Sequence, residues 1–118
     1  MACGLRLICA PGDLAEAGPG VRFAIEERDG AAPGFVIRYG GEVFAFVNSC
    51  PHLGTQLDWQ EGEFFDVGGL YLVCSTHGAL FEPRSGSCVA GPCVGASLER
   101  LAIVETPEGV FLAGKPPP

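Results

Sequence analysis

The sequence predicts an all-β chain, and three observations carry that reading. Eighteen glycines and ten prolines in 118 residues interrupt the chain too often for long helices. The apolar segments are short, and most alternate at the period of a strand. Several of these segments are joined in pairs by tight, glycine-rich turns, which is the pattern of β-hairpins. Hydrophobic residues make up 47% of the chain, which argues for a folded protein rather than a disordered one. The length suits one domain with a single core, residues 1–118.

Taken in order, residues 5–9 form an apolar run closed by Pro11-Gly12, and residues 21–25 alternate well. Residues 35–39 run into Gly40-Gly41, and residues 43–47 follow, a first hairpin. Residues 63–66, Gly68-Gly69 and residues 70–73 repeat the pattern. Residues 101–104 and 110–112, linked by Thr106-Pro107-Glu108-Gly109, repeat it again. Residues 13–17 have room for one helical turn at most, and no capped helix of ordinary length is expected. Phe44, Phe46, Phe64, Phe65 and Phe111 read as core. Between the flanking hairpins, residues 48–93 are rich in Cys, His, Gly and Pro, and such an interruption is where function is expected.

The formal net charge of −7 disfavours nucleic acid and anionic membrane surfaces, which require a cationic face. It suits a partner bearing a basic patch. No apolar run reaches the roughly 20 residues of a membrane helix. The opening MACGLRLICAPG lacks the basic n-region and long apolar stretch of a signal peptide, so the expected location is the cytoplasm. Thiols stay reduced there, and the six cysteines call for a metal or redox explanation before a disulfide. Gly18-Pro19-Gly20 lacks the strand–turn–helix setting of a nucleotide-binding loop.

Both histidines of the chain stand beside cysteines, as Cys50-x-His52 and Cys74-x-x-His77. Each pair follows an expected strand, so each sits on a turn at a strand end, and two such loops together offer four convergent ligands. Two metals fit: a structural zinc held by two cysteines and two histidines, or a 2Fe-2S centre whose irons are held by two cysteines and two histidines. Zinc motifs commonly pair Cys with Cys and His with His, whereas here each loop supplies one of each, which favours the binuclear centre.

CPHLG, then CSTHGALF, then SGSCVAGP closely resembles the Rieske ferredoxin family. The resemblance implies an all-β fold with an antiparallel base and a small inserted cluster-binding subdomain, about residues 48–93. It implies one 2Fe-2S cluster per chain, with Cys50 and Cys74 on the inner iron and His52 and His77 on the outer one. Gly91-Pro92 would lie in the loop covering the cluster. By the same resemblance the chain shuttles single electrons and catalyses nothing alone. A flavoprotein reductase supplies the electron, a terminal oxygenase accepts it, and the carrier is a monomer. A close alternative is the small subunit of an assimilatory nitrite reductase, and a zinc-stabilised or sensing module is a third. No histidine is left over for a second, oxygen-activating iron.

Four further cysteines remain. Cys88 and Cys93 read as small buried thiols or, more sharply, as a redox-active pair near the cluster; Cys3 and Cys9 read as first-strand packing. Trp59, Asp58, Glu61, Glu63 and Asp66 form either a solvated loop or a docking face. Respiratory members of the family carry a second cysteine pair at the positions of Thr55 and Thr76, and hydroxyl donors at those of Ala79 and Phe81. Hydrogen bonds to sulfur stabilise the reduced cluster, so side chains that cannot donate them lower its potential. A redox titration is therefore expected to give a midpoint in the lower half of the roughly −150 to +300 mV Rieske range, and one in the upper half contradicts this.

Overall fold

A computed structural model describes residues 5–27, 30–51, 55–58, 60–75 and 78–114. The described residues form nine strands: β1 Arg6–Cys9, β2 Val21–Glu27, β3 Gly30–Tyr39, β4 Glu42–Val47, β5 Leu72–Val73, β6 Leu80–Phe81, β7 Cys88–Ala90, β8 Arg100–Thr106 and β9 Gly109–Gly114. The only helical element among the described residues is a 3-10 turn, Pro11–Asp13. None of them forms a helix long and apolar enough to cross a membrane. The all-β, antiparallel expectation holds.

Six strands make one antiparallel sheet in the order β1-β9-β8-β4-β3-β2, and a second sheet has the order β5-β6-β7. The outer strands of the larger sheet approach each other, and the Arg6 guanidinium on β1 donates to the Ala24 carbonyl on β2. The sheet thus curls towards a barrel, which protects its edges.

Strand β3 is buried on both faces: Phe35, Val36 and Ile37 are all fully enclosed. Alternation sends Phe35 and Ile37 to one face with Phe46, and Val36 to the other with Ala45. The first face meets Leu57, Phe64, Leu72 and Phe81 from the inserted segment, and Leu98 just after it. The second meets Leu14, Ile25, Leu101, Val110 and Leu112 inside the curled sheet. The rings of Phe35 and Phe64 stack at 3.9 Å with an 11° tilt, locking the insertion onto the sheet.

Two departures from sequence pattern have physical reasons. Pro33 lies inside β3, although proline cannot donate to a ladder. Its carbonyl faces the β4 side and accepts the Asn48 N–H at 2.8 Å, just past the end of β4, where no ladder bond is lost. Residues 63–66 do not form the expected full strand: their pairing with β5 is limited to an isolated Phe65–Leu72 bridge, flanked by the Val73 N–H on the Phe64 carbonyl and the Asp66 N–H on the Tyr71 carbonyl, each at 2.8 Å. The ladder stops at Asp66 because its carboxylate accepts the Leu70 and Tyr71 N–H groups and its carbonyl accepts the Gly69 N–H at 3.0 Å, which closes a tight turn.

Arg38 ties three parts of the chain together. Its guanidinium donates to the Leu14 and Pro11 carbonyls at 2.8 and 3.1 Å, to the Gly41 carbonyl at 3.1 Å, and to both oxygens of Glu105 on β8. Glu16 accepts the amides of Gly40 and Gly41, both of which hold positive φ in the β3–β4 turn. Arg38 holds the Glu105 carboxyl below its ordinary range, and the two glycine amides do the same for Glu16.

A lysine offers no fork. Arg38→Lys is expected to lower unfolding free energy by about 1–3 kcal/mol in urea titration, the scale of lost charge-assisted hydrogen bonds. An acid whose pKa is depressed on folding stabilises above its unfolded value and loses that contribution as pH falls through its folded value. Stability should therefore decline as pH drops below the ordinary value of 4.5, and Glu105→Gln should make that decline shallower. An unchanged slope in the variant would contradict the assignment.

Candidate metal centre

The chain leaves β4 at Val47 and has no ladder to follow, so side chains must satisfy its backbone. Asn48 does so while fully buried. Its own N–H goes to the Pro33 carbonyl at 2.8 Å, its side-chain oxygen accepts the Leu57 N–H at 2.8 Å, and its amide donates to Asp58 at 2.9 Å. Asp58 accepts the Gly62 N–H at 3.0 Å and lies 3.5 Å from the Arg22 guanidinium. This network holds both ends of the segment that contains the first Cys-x-His motif.

Two loops carry the predicted cysteines, and both close in the same way. The Cys50 N–H donates to the Thr55 carbonyl at 2.7 Å, and the Cys74 N–H donates to the Ala79 carbonyl at 2.9 Å. Gly78 completes the second loop with φ of +73°, where a side chain would be strained, and returns its N–H to the Cys74 carbonyl at 2.8 Å. The Ser75 N–H donates to the Leu57 carbonyl at 3.0 Å, joining the second loop to the chain that follows the first.

A third loop follows β7. Gly91 has φ of +102°, and a Cβ there would stand 2.8 Å from the Ala79 Cα, so only glycine lets this loop lie against the second. The cysteines are inside and the loop tips outside: Cys50 and Cys74 are 3% and 1% exposed, whereas Pro51, Ser75, Gly78, Gly91 and Pro92 are open to solvent.

Of the four expected ligands, Cys50 and Cys74 fall in the same buried side-chain cluster. No disulfide joins them. His52 and His77 lie outside the described residues, as do Cys3, Trp59 and Thr76. Two buried sulfur donors on loops closed by backbone hydrogen bonds suit a thiolate-held metal group with an exposed edge. Ala79 and Phe81 are buried and offer no side-chain donor.

Cys88 and Cys93 enter the same cluster, with their sulfurs 2.7 Å apart. Burial pushes the Cys93 thiol up to about 12, and the Cys88 and Cys50 sulfurs beside it add to the rise. Of the acidic residues between the loops, Asp58 is a buried structural acceptor, Asp66 is half-buried and closes a turn, and Glu61 and Glu63 are exposed. Sequence reasoning missed Asn48, since a single Asn before a Cys motif carries no pattern that marks it as buried.

Removing the Asn48 side chain would strand the Leu57 N–H and one Asp58 oxygen in the core. Asn48→Ala is expected to destabilise the protein by about 2–3 kcal/mol in urea titration, the scale of a buried group left unsatisfied. A change within experimental error would mean that water replaces the amide.

The sequence matches the Rieske [2Fe-2S] domain over residues 5–108. It is similar to the ferredoxin component of biphenyl 2,3-dioxygenase from Rhodococcus jostii (strain RHA1), 37% identical over 91 residues, 76% of each chain. Among solved structures it resembles a chain in the complex of reduced oxygenase and oxidized ferredoxin in carbazole 1,9a-dioxygenase. That likeness has a TM-score of 0.73 at 24% identity and covers 97% of this chain and 96% of that one. It also resembles the ferredoxin of carbazole 1,9a-dioxygenase from Nocardioides aromaticivorans IC177. Here the TM-score is 0.71 at 24% identity, covering 94% of this chain and 98% of that one. The structural likenesses speak to the fold.

Proposed function

This chain belongs to the Rieske [2Fe-2S] domain family, and from that premise we propose that it is the ferredoxin component of a multicomponent oxygenase. It carries single electrons to a terminal oxygenase and catalyses no reaction alone. The observation that carries the reading is the burial of Cys50 and Cys74 in one side-chain cluster beneath exposed loop tips. The relative in Rhodococcus jostii is itself a dioxygenase ferredoxin, which favours an oxygenase system over nitrite reductase or a zinc module.

Cys50 and Cys74 would hold the inner iron, and His52 and His77 the outer one. When bound, the Rieske-type 2Fe-2S cluster takes up and returns one electron. The chain's own residues set the conditions for this. Phe81, Ala79 and Leu57 keep water from the cysteine sulfurs, because all three are buried in or against the same core. Exposed Pro51, Ser75 and Pro92 leave the tip open for a partner's close approach. Val89 and Val94, 48% and 65% exposed and flanking Pro92 in sequence, offer apolar surface to a partner.

Residues 1–118 form one domain with the cluster-binding subdomain at about 48–93. The protein is a cytoplasmic monomer that receives its electron from a flavoprotein reductase. The net charge of −7 fits partners with basic faces, whose association slows as salt rises.

Anaerobically purified protein is expected to be red-brown, and its dithionite-reduced form to show a rhombic EPR signal of low average g. Cys50→Ser and Cys74→Ser should each abolish that signal and the bound iron, whereas Thr55→Ala should keep both. A colourless protein containing one zinc would overturn the electron-transfer reading.

A further inference from the structure

Cys88 and Cys93 lie outside the proposed ligand set, yet the fold brings them together. Cys88 opens β7, and the turn through Gly91 returns the chain so that the two sulfurs stand 2.7 Å apart. A disulfide bond is about 2.05 Å long, so the sulfurs lie within about 0.7 Å of bonding distance. The backbone on both sides is already fixed. The Cys88 N–H donates to the Ala96 carbonyl and the Ala96 N–H to the Cys93 carbonyl, each at 2.9 Å. The Cys88 sulfur also reaches the Ala90 carbonyl at 3.3 Å. Both residues are 6% exposed, and no disulfide joins them in this structure.

We propose that Cys88 and Cys93 form a reversible dithiol–disulfide pair, oxidised by peroxide, that guards the sulfur-rich core of the cluster-binding segment. One thiolate attacks hydrogen peroxide to give a sulfenic acid and hydroxide. The neighbouring thiol then displaces the sulfenic oxygen as water, forming the S–S bond. The two cysteines together lose two electrons and two protons, and one peroxide becomes two waters. Thiol reductants reverse the step. Capture by the neighbour keeps either cysteine from continuing to irreversible sulfinic acid. Cys93 also neighbours Cys50, so a sulfinate there would place a charge against a proposed cluster ligand. Buried thiols react slowly, so the pair answers sustained exposure rather than a brief pulse. This inference does not rest on the electron-transfer reading.

The test treats the holoprotein with excess hydrogen peroxide for hours, blocks remaining thiols with N-ethylmaleimide, and maps a non-reducing digest by mass spectrometry. The expected product is a cross-link between Cys88 and Cys93, lighter by two hydrogens and removed by dithiothreitol. Cys88→Ser and Cys93→Ser should lack the link, and their remaining partner should gain two oxygens under the same exposure. Cys9→Ser should keep the link. Retention of both thiols in alkylatable form would overturn the proposal. So would a link to another cysteine, or equal sulfinic acid at Cys93 in the wild type and Cys88→Ser. The visible spectrum of each untreated variant reports whether it has folded and loaded.

Discussion

The constraint behind the cluster-binding segment is that residues between β4 and β8 must satisfy their backbone with little sheet to help. β5 and β6 have two residues each and β7 three, so ladder bonds cover only a fraction of the segment. The remainder is met by side chains and single backbone links: Asn48 to Leu57, Asp58 to Gly62, Asp66 to Leu70, and Ser75 to Leu57. These links let irregular backbone be buried, and no buried side-chain polar atom lacks a partner among the described residues. An irregular segment is useful here because strands would point alternate residues to opposite faces, whereas paired loops let cysteines converge.

Hydrophobic packing supplies what the ladder does not. Phe35 and Phe46 on the large sheet present a face to Phe64, Leu57 and Leu72, and the two cysteines share that cluster. A site built this way borrows its rigidity from a sheet that contains none of its proposed ligands. The arrangement separates the tasks, with the large sheet holding the shape and the loops holding the chemistry.

Much of this was legible in the sequence, for reasons specific to each element. Phe35-Val36-Ile37 with Gly40-Gly41 and a following apolar run could only be a hairpin, because periodicity and turn chemistry agree there. The paired Cys/His motifs were legible because both histidines of the chain stand beside cysteines. Strands β6 and β7 were not, since runs of two and three residues carry no period. The turn after Phe65 misled because Asp66 competes with strand pairing through its own side chain. Asp58 looked like surface charge, and only the fold reveals that Asn48 and Gly62 draw it inside.

The shared closure of the two cysteine loops has a consequence for how such a site can vary. In each, an amide reaches the carbonyl five positions ahead, so each loop is a ring of fixed size. Side chains within a ring can change while its bond persists, as the differing sequences CPHLGT and CSTHGA already illustrate. Adding or deleting one residue inside either ring breaks the closure and turns the cysteine away from the core. Apart from the proposed ligands and Gly78, these loops should therefore tolerate substitution far better than insertion or deletion, the reverse of what surface turns usually allow.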